Sequence, residues 1–307
     1  MKKSRSVLII GGTGFIGYHL AKKCLKSGLQ VFSISTKKVH KYRFLKKVKY
    51  KICNINNFKL LKKSIKKNFD YVVNLGGYVD HKNKKKTYAS HYLGVKNLYE
   101  VLKNKHLKKF IQIGSSSEYG KLKSPLRENS DCNPLMIYGK SKLKATQFLL
   151  SKYKSVKFPV TILRFFQIYG PYQKPNRLIP IVITEAIKNK DFNCSDGKQS
   201  RDFLYVDDAV SSIFKTLNNK KTNGKIINIG QGKPIMVKKV ILMIVNMIQK
   251  GRPNFGKIKL RKDEPKILFP NIKDSSKILK WKTKTSIKNG LLKTIKSYEK
   301  DIINKQT

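Results

Sequence analysis

Short runs of apolar residues alternate along this chain with longer stretches in which apolar positions recur every three or four residues. Residues 7–10 form an unbroken apolar run that stops at glycine, as in a strand buried on both faces of a parallel sheet. A helical period follows over about 15–27 and ends at Gly28. Further strands are expected at 30–35, 48–52, 71–75, 110–113 and 160–163, and further helices at 58–67, 87–104 and 138–154. Such alternation implies right-handed crossovers and a doubly wound, parallel α/β sheet. Past Gly170-Pro171 the alternation loosens. Helical periods remain at 178–189, 209–217 and 237–248, a strand pattern at 226–229, and the end is mixed and Lys-rich. The expected division is a first domain at 1–170 and a smaller lobe at 171–307. The stretch near 203–229 is a candidate to rejoin the main sheet.

Composition adds a question of partners. The chain carries 68 basic residues against 17 acidic ones, a net charge of +51. That balance would suit a nucleic-acid binder. Yet only eight of the basic residues are Arg, the side chain that phosphate and base forks favour, and the lysines are spread along the whole chain. What the charge does imply is attraction for anions and weak, salt-sensitive, nonspecific binding of polyanions. No run approaches the roughly 18 apolar residues of a membrane span. The apolar run after the basic start is too short for an export signal. The four cysteines form no CxxC pair and no metal cluster. Free thiols in the cytoplasm, no membrane and no metal are therefore expected.

The first strand runs directly into Gly11-Gly12-Thr13-Gly14-Phe15-Ile16-Gly17, which opens the first helix. Early glycines let backbone approach a pyrophosphate, the last lets helix and strand pack closely, and the helix N-terminus favours phosphate. Between strand and helix, this spacing is a Rossmann dinucleotide signature. The end of the second strand selects between NAD and NADP. An acid there would bind ribose hydroxyls; this chain has Ser35 followed by Thr36-Lys37-Lys38, which suits a 2′-phosphate and favours NADP over NAD. Asn54, after the third strand, is placed to contact the adenine.

Tyr138-Gly-Lys140-Ser-Lys142 opens a later helix, and i,i+4 spacing puts Tyr138 and Lys142 on one face. An ammonium beside a phenol lowers its pKa and makes it an acid/base near neutrality. A hydroxyl-rich turn, Ser115-Ser116-Ser117-Glu118-Tyr119-Gly120, leaves the fifth strand, and a serine there would polarise a carbonyl or share a proton with Tyr138.

With GGTGFIG, SSSEYG, YGKSK, RFFQIYGP and RDFLYVDDA in this order, the chain resembles extended short-chain dehydrogenases/reductases, the NAD-dependent epimerase/dehydratase family, over about residues 7–210. The resemblance implies a catalytic set of Ser115, Tyr138 and Lys142. Hydride would pass between a nicotinamide and a sugar carbon while the tyrosine handles the hydroxyl proton. It implies a nucleotide-diphosphate sugar as substrate, its diphosphate paired with Arg201 and Arg261, and a segment at Arg177 and Leu178 lining the nucleotide site. Leu75 and Gly76, in place of a usual Leu-Ala, keep small residues beside the cofactor. Gln167 stands where Asn is usual, Ser116 beside the catalytic serine, and His91 where Asn is frequent; His91 reads as a satisfied helix-face histidine. Members that dehydrate sugars carry a Glu two places after the catalytic Ser or Thr. Here that place is Ser117, and Glu118 is one place too late, which argues against a 4,6-dehydratase. A nucleotide-sugar epimerase or 4-ketoreductase fits, as does a homodimer through the helices at about 87–104 and 138–154. The competing classes are a nucleic-acid binder on the same fold and a cofactor-sensing regulator. The second of these should lack the tyrosine–lysine pair.

Overall fold

The computed structural model describes residues 4–78, 83–260 and 264–306, the last six of these as backbone only. Its centre is a seven-stranded sheet in which every neighbouring pair is parallel. The first half supplies six strands: β1 (Ser6–Ile10), β2 (Gln30–Ser35), β3 (Val48–Ile52), β4 (Tyr71–Asn74), β5 (Lys109–Ser115) and β6 (Val160–Phe165). Between them run α1 (Phe15–Lys26), α2 (Phe58–Ser64), α3 (Lys84–Tyr88), α4 (Gly94–Leu102) and α5 (Ile137–Val156). The chain then forms β7 (Gln167–Tyr169), α6 (Leu178–Ile187), β8 (Asp191–Asn193), β9 (Ser200–Arg201), β10 (Phe203–Tyr205) and α7 (Val206–Leu217). It returns to the sheet as β11 (Lys225–Ile229), beside β6. Last come β12 (Ile235–Met236), α8 (Val237–Ile248), β13 (Arg252–Asn254), β14 (Ile267–Leu268), α9 (Lys273–Leu279) and α10 (Ile287–Gln306).

Strand order is β11-β6-β5-β4-β1-β2-β3. From β1 the chain winds outward first through β2 and β3, then the other way through β4, β5 and β6, so the winding reverses between β1 and β4. Open α/β sheets bind ligands in the crevice at such a switch point, beyond the carboxyl ends of the strands. Alternate residues of β1 feed opposite faces: Val7 and Ile9 enter the cluster that includes Leu20, Ala21, Val210 and Ile213, whereas Leu8 and Ile10 enter the one with Leu61, Leu98 and Leu149. Both faces are covered by helices, which is why the strand read as one continuous apolar run.

Three elements depart from the sequence pattern. The helix expected over 58–67 stops at Ser64, capped at its start by the Asn57 side chain. The helix expected over 87–104 starts earlier, at Lys84, and changes hydrogen-bond period in a π segment, Ala89–Leu93, before continuing as α4. The Lys-rich end holds a 20-residue helix, α10. Among the described residues no helix is long and apolar enough to cross a membrane, and no cluster of three or more His, Cys, Asp or Glu residues could hold a metal.

Candidate active site

The turn after β1 is shaped by close approach. Gly11 has φ +80°, in the left-handed region, and its N–H donates to the Ile34 carbonyl at 2.7 Å. A Cβ on Gly17 would overlap the Gly11 carbonyl oxygen and lie 2.7 Å from Gly12 Cα, so only glycine lets α1 sit down on the loop. Gly14 is the N-cap of α1 and gives no side-chain cap, which leaves the first N–H groups of the helix for an anion. Thr13 N–H donates to Ser35 Oγ at 3.3 Å, tying the loop to the end of β2. Phe15 and Ile16 begin α1 half-buried. On the other side of the switch point, Leu75 N–H donates to the Ile10 carbonyl at 2.9 Å and Gly76 N–H to Asn74 Oδ1 at 3.0 Å. This cradle of glycines, small residues and free helix N–H groups fits a dinucleotide pyrophosphate.

Sequence reasoning missed a cation at this cradle. Arg43 is buried, donates to the Thr13 carbonyl at 3.1 Å and to the Tyr172 carbonyl, and leaves its Nε without a partner. The available signal was rarity, since Arg43 is one of only eight arginines. Arg177, Lys37 and Arg43 lie close enough to Lys174 to repel it. Lys174 is pushed below its ordinary pKa first by burial and then by Arg177, Lys37 and Arg43. Asn54 is exposed and spends its Oδ1 on Asn56 N–H at 3.0 Å.

Ser115 ends β5 and Tyr138 lies in the first turn of α5, and their hydroxyls are within hydrogen-bonding reach. Lys142, one turn on, is buried and donates to the Ile113 carbonyl at 2.7 Å, bracing α5 against the sheet edge. Its Nζ stands 6.0 Å from the centre of the Tyr138 ring. The structure thus brings the three residues together but alters the expected electrostatics. Burial pushes the Tyr138 phenol up, and the groups pulling it down are Ser115 and Arg177, not Lys142. Burial also lowers Lys142 to about 8.

Glu118 is fully buried, and its carboxylate is taken up by protein partners. Its Oε1 accepts from Ser115 N–H at 2.8 Å, and its Oε2 accepts from Arg164 Nε at 3.0 Å and Thr146 Oγ1 at 2.9 Å. Ser115 Oγ in turn accepts from Ser117 N–H at 3.1 Å, completing a capping box that fixes the turn. Ser116 is half-buried and Ser117 exposed. His91, expected as a satisfied helix-face histidine, does have partners, and they lie beside the site. It is buried in the π segment, its ring edge-on to Tyr138 at 5.0 Å and its Nε2 3.0 Å from the Tyr78 carbonyl.

Of the remaining expected residues, those described lie at β7, α6 and β9. Gln167 is exposed at the start of β7, Arg177 is exposed as the N-cap of α6, and Leu178 follows it half-buried. Arg201 is buried, with Nη2 paired to Glu264 Oε1 at 2.7 Å and Nη1 donating to the Ser200 carbonyl at 2.8 Å. Arg261 lies outside the described residues.

The family model described as "NAD dependent epimerase/dehydratase family" matches residues 7–230. A UDP-glucuronate 4-epimerase of Thermodesulfobacterium geofontis is 28% identical, covering 94% of each chain. A dTDP-D-glucose 4,6-dehydratase of Dictyostelium discoideum is 33% identical, covering 79% of this chain and 62% of its own. Among solved structures, the UDP-glucuronic acid 4-epimerase of Bacillus cereus, in complex with UDP-glucuronic acid and NAD, is 27% identical with a TM-score of 0.86, covering 96% of this chain and 99% of its own. A chain that carries this sheet and this glycine cradle, and matches that model over most of its length, belongs to the NAD-dependent epimerase/dehydratase family.

Proposed function

We propose that this chain is a nucleotide-sugar 4-epimerase in which Ser115, Tyr138 and Lys142 act on a sugar hydroxyl above the switch point. The observation that carries the reading is the Tyr138–Ser115 pair on a helix face braced by Lys142 at the carboxyl end of β5. In this reading Tyr138 takes the proton from the sugar hydroxyl and later returns it to the same oxygen, and the configuration inverts because the intermediate ketone presents its other face to the returning hydride. Ser115 holds the reacting oxygen, and the Lys142 ammonium keeps the surroundings positive. A nicotinamide dinucleotide held by residues 11–17 supplies the hydride acceptor and donor and, when oxidised, a positive charge that favours the phenolate. Dehydration is disfavoured because Glu118 is consumed by Arg164, Thr146 and Ser115, and the neighbouring positions offer hydroxyls in place of a carboxylate. Relatives include UDP-sugar 4-epimerases and also dTDP-D-glucose 4,6-dehydratases, so the choice between the two rests on Glu118 and its neighbours.

In the same proposal residues 1–170 carry the cofactor and 171–307 the nucleotide sugar, with β11 returned to the sheet. Gln167, Arg177 and Leu178 line the sugar-nucleotide path, Ser116 stands beside Ser115, and Arg201 meets the diphosphate at the edge of its pair with Glu264. Ser35 and Lys37 at the end of β2, with Arg43 and Lys174 nearby and no acid in the strand end, support NADP over the NAD held by the Bacillus cereus relative. A homodimer through the faces of α4 and α5 completes the reading.

The test is a nucleotide-sugar panel with each dinucleotide. Isomerisation without net change in cofactor absorbance is the expected result, and stoichiometric NADPH oxidation would make the chain a ketoreductase instead. Tyr138→Phe should cut turnover by about 100-fold or more while cofactor affinity holds. Undiminished turnover in that variant ends the proposal.

A further inference from the structure

A second concavity lies apart from this site. A cleft of about 620 Å³ opens between α1, the start of α7 and the middle of α10, walled on one side by Pro171 and Tyr172. None of the residues expected to hold cofactor or sugar lines it. Lys22, Lys23 and Lys26 of α1 face it from one side. From α10, Lys293, Lys296 and Lys300 face it at i, i+3, i+7, a spacing that puts all three on one side of the helix. Asp207 is the one carboxylate among the lining residues. It already pairs with His19 Nδ1 at 3.6 Å, and its carboxyl is held below the usual range first by His19 and then by Lys293 and Lys22. The two lysine rows therefore converge on the same acid from opposite walls. Two like-charged helix faces across a concave gap repel, and six lysines against one carboxylate leave most of that repulsion unbalanced.

We propose that this cleft binds a linear polyphosphate anion of about three phosphates, lying between the lysine rows of α1 and α10. Three features set the ligand class. The lysines from 293 to 300 span about 10 Å along α10, the length of a triphosphate and too long for a single phosphate to engage. Lysine ammoniums suit phosphate as point charges, and no guanidinium fork is present in the lining to select a planar carboxylate. The volume falls in the range of small-ligand sites, about 300–1,000 Å³, and is too small for a nucleic-acid duplex. The walls also carry Tyr18, Tyr172 and Tyr205, with Lys293 Nζ 5.6 Å above the Tyr205 ring, so a nucleoside attached to the triphosphate would have aromatic surface to lie against.

The experiment is calorimetric titration of the full chain with sodium triphosphate and, separately, ATP, at about 150 mM salt to suppress diffuse attraction, with excess NAD and NADP occupying the glycine cradle. The triple variant Lys22→Gln/Lys296→Gln/Lys300→Gln is compared with Lys59→Gln/Lys62→Gln/Lys63→Gln, which removes the same charge from exposed positions around α2. The expected result is one saturable site, weakened about tenfold by the first triple and less than twofold by the second. Tighter binding of ATP than of triphosphate would give the site a nucleotide ligand, and equal binding an inorganic one. Equal weakening by both triples, or binding that exceeds one ligand per chain, overturns the proposal and leaves only bulk charge.

Discussion

Removing the Glu118 carboxylate should unfold the protein more than it should alter its chemistry. The group is 0% exposed and has three partners within 3.0 Å: Arg164 Nε, Thr146 Oγ1 and Ser115 N–H. Burial works against the Arg164 charge, and Glu118 together with Tyr119 and Cys132 more than offsets it, so the guanidinium is held more firmly protonated than an ordinary arginine. In Glu118→Ala that guanidinium stays behind without a counter-charge, which costs about 3–5 kcal/mol for a broken buried pair. The Ser115 N–H also loses its acceptor, a loss of about 1–3 kcal/mol that overlaps with the first and does not simply add. At roughly 2 °C per kcal/mol for a chain of this size, Tm should fall by about 6–10 °C, read by calorimetry or by urea unfolding at pH 7. Replacing both partners by apolar residues, Glu118→Leu with Arg164→Met, should recover most of the loss, since well-packed hydrophobes commonly match a buried ion pair. A single variant within about 1 kcal/mol of the parent would mean a solvated carboxylate, and would return Glu118 to candidacy as the acid/base of a dehydratase. A double variant no better than the single one would refute the pairing itself.

Gly17→Ala should weaken dinucleotide binding by about tenfold or more with little change in fold, because its Cβ displaces the Gly11 carbonyl and the loop beneath it; fluorescence titration with NADH and NADPH reads the effect. Lys109 and Lys142 are both buried and lowered to about 8, so between pH 8 and the ordinary lysine range the folded state sheds protons that the unfolded state keeps. Stability should accordingly rise with pH from 8 to about 10, and urea midpoints across that window should show a shallower rise in Lys109→Met than in the parent.

The sheet was legible because each strand has one simple requirement. Val7 to Ile10 face apolar helices on both sides, so an unbroken apolar run is the only pattern that satisfies them, and glycine at the end marks where the backbone must turn. The position of Tyr138 and Lys142 was legible for a related reason: i,i+4 spacing at the start of a helix fixes which side chains share a face. α10 was not legible. Among the described side chains, Leu291, Thr294 and Ile295 are buried and Ile287 and Tyr298 pack half-buried against the core, while Lys288, Lys293, Lys296 and Lys300 are exposed, so the apolar stripe is too narrow to stand out in a lysine-rich tail.

What spacing could not convey was which charges are spent. Asp202, Asp207 and Asp208 stand together in the sequence as a conspicuous acidic group. In the structure Asp202 accepts from Gln231 N–H and Gly232 N–H at 2.8 and 2.7 Å, and Asp208 from Lys284 N–H and Thr285 N–H at 3.1 and 2.9 Å. Both are backbone anchors: Asp202 ties the connection between β9 and β10 to the turn after β11, and Asp208 ties α7 to the segment before α10. Lys109 is the cationic counterpart, its ammonium satisfied by Thr161, Asn219, Thr222 and Asn223 at the base of β5. A residue's neighbours in the chain decide its secondary structure, but the partners that consume its charge come from other elements. Glu118 is the sharpest instance. One position along the turn separates the place where a dehydrating relative's carboxylate is expected from Glu118, which is spent on Ser115 N–H, Thr146 and Arg164, and the proposed preference for epimerisation rests on that displacement.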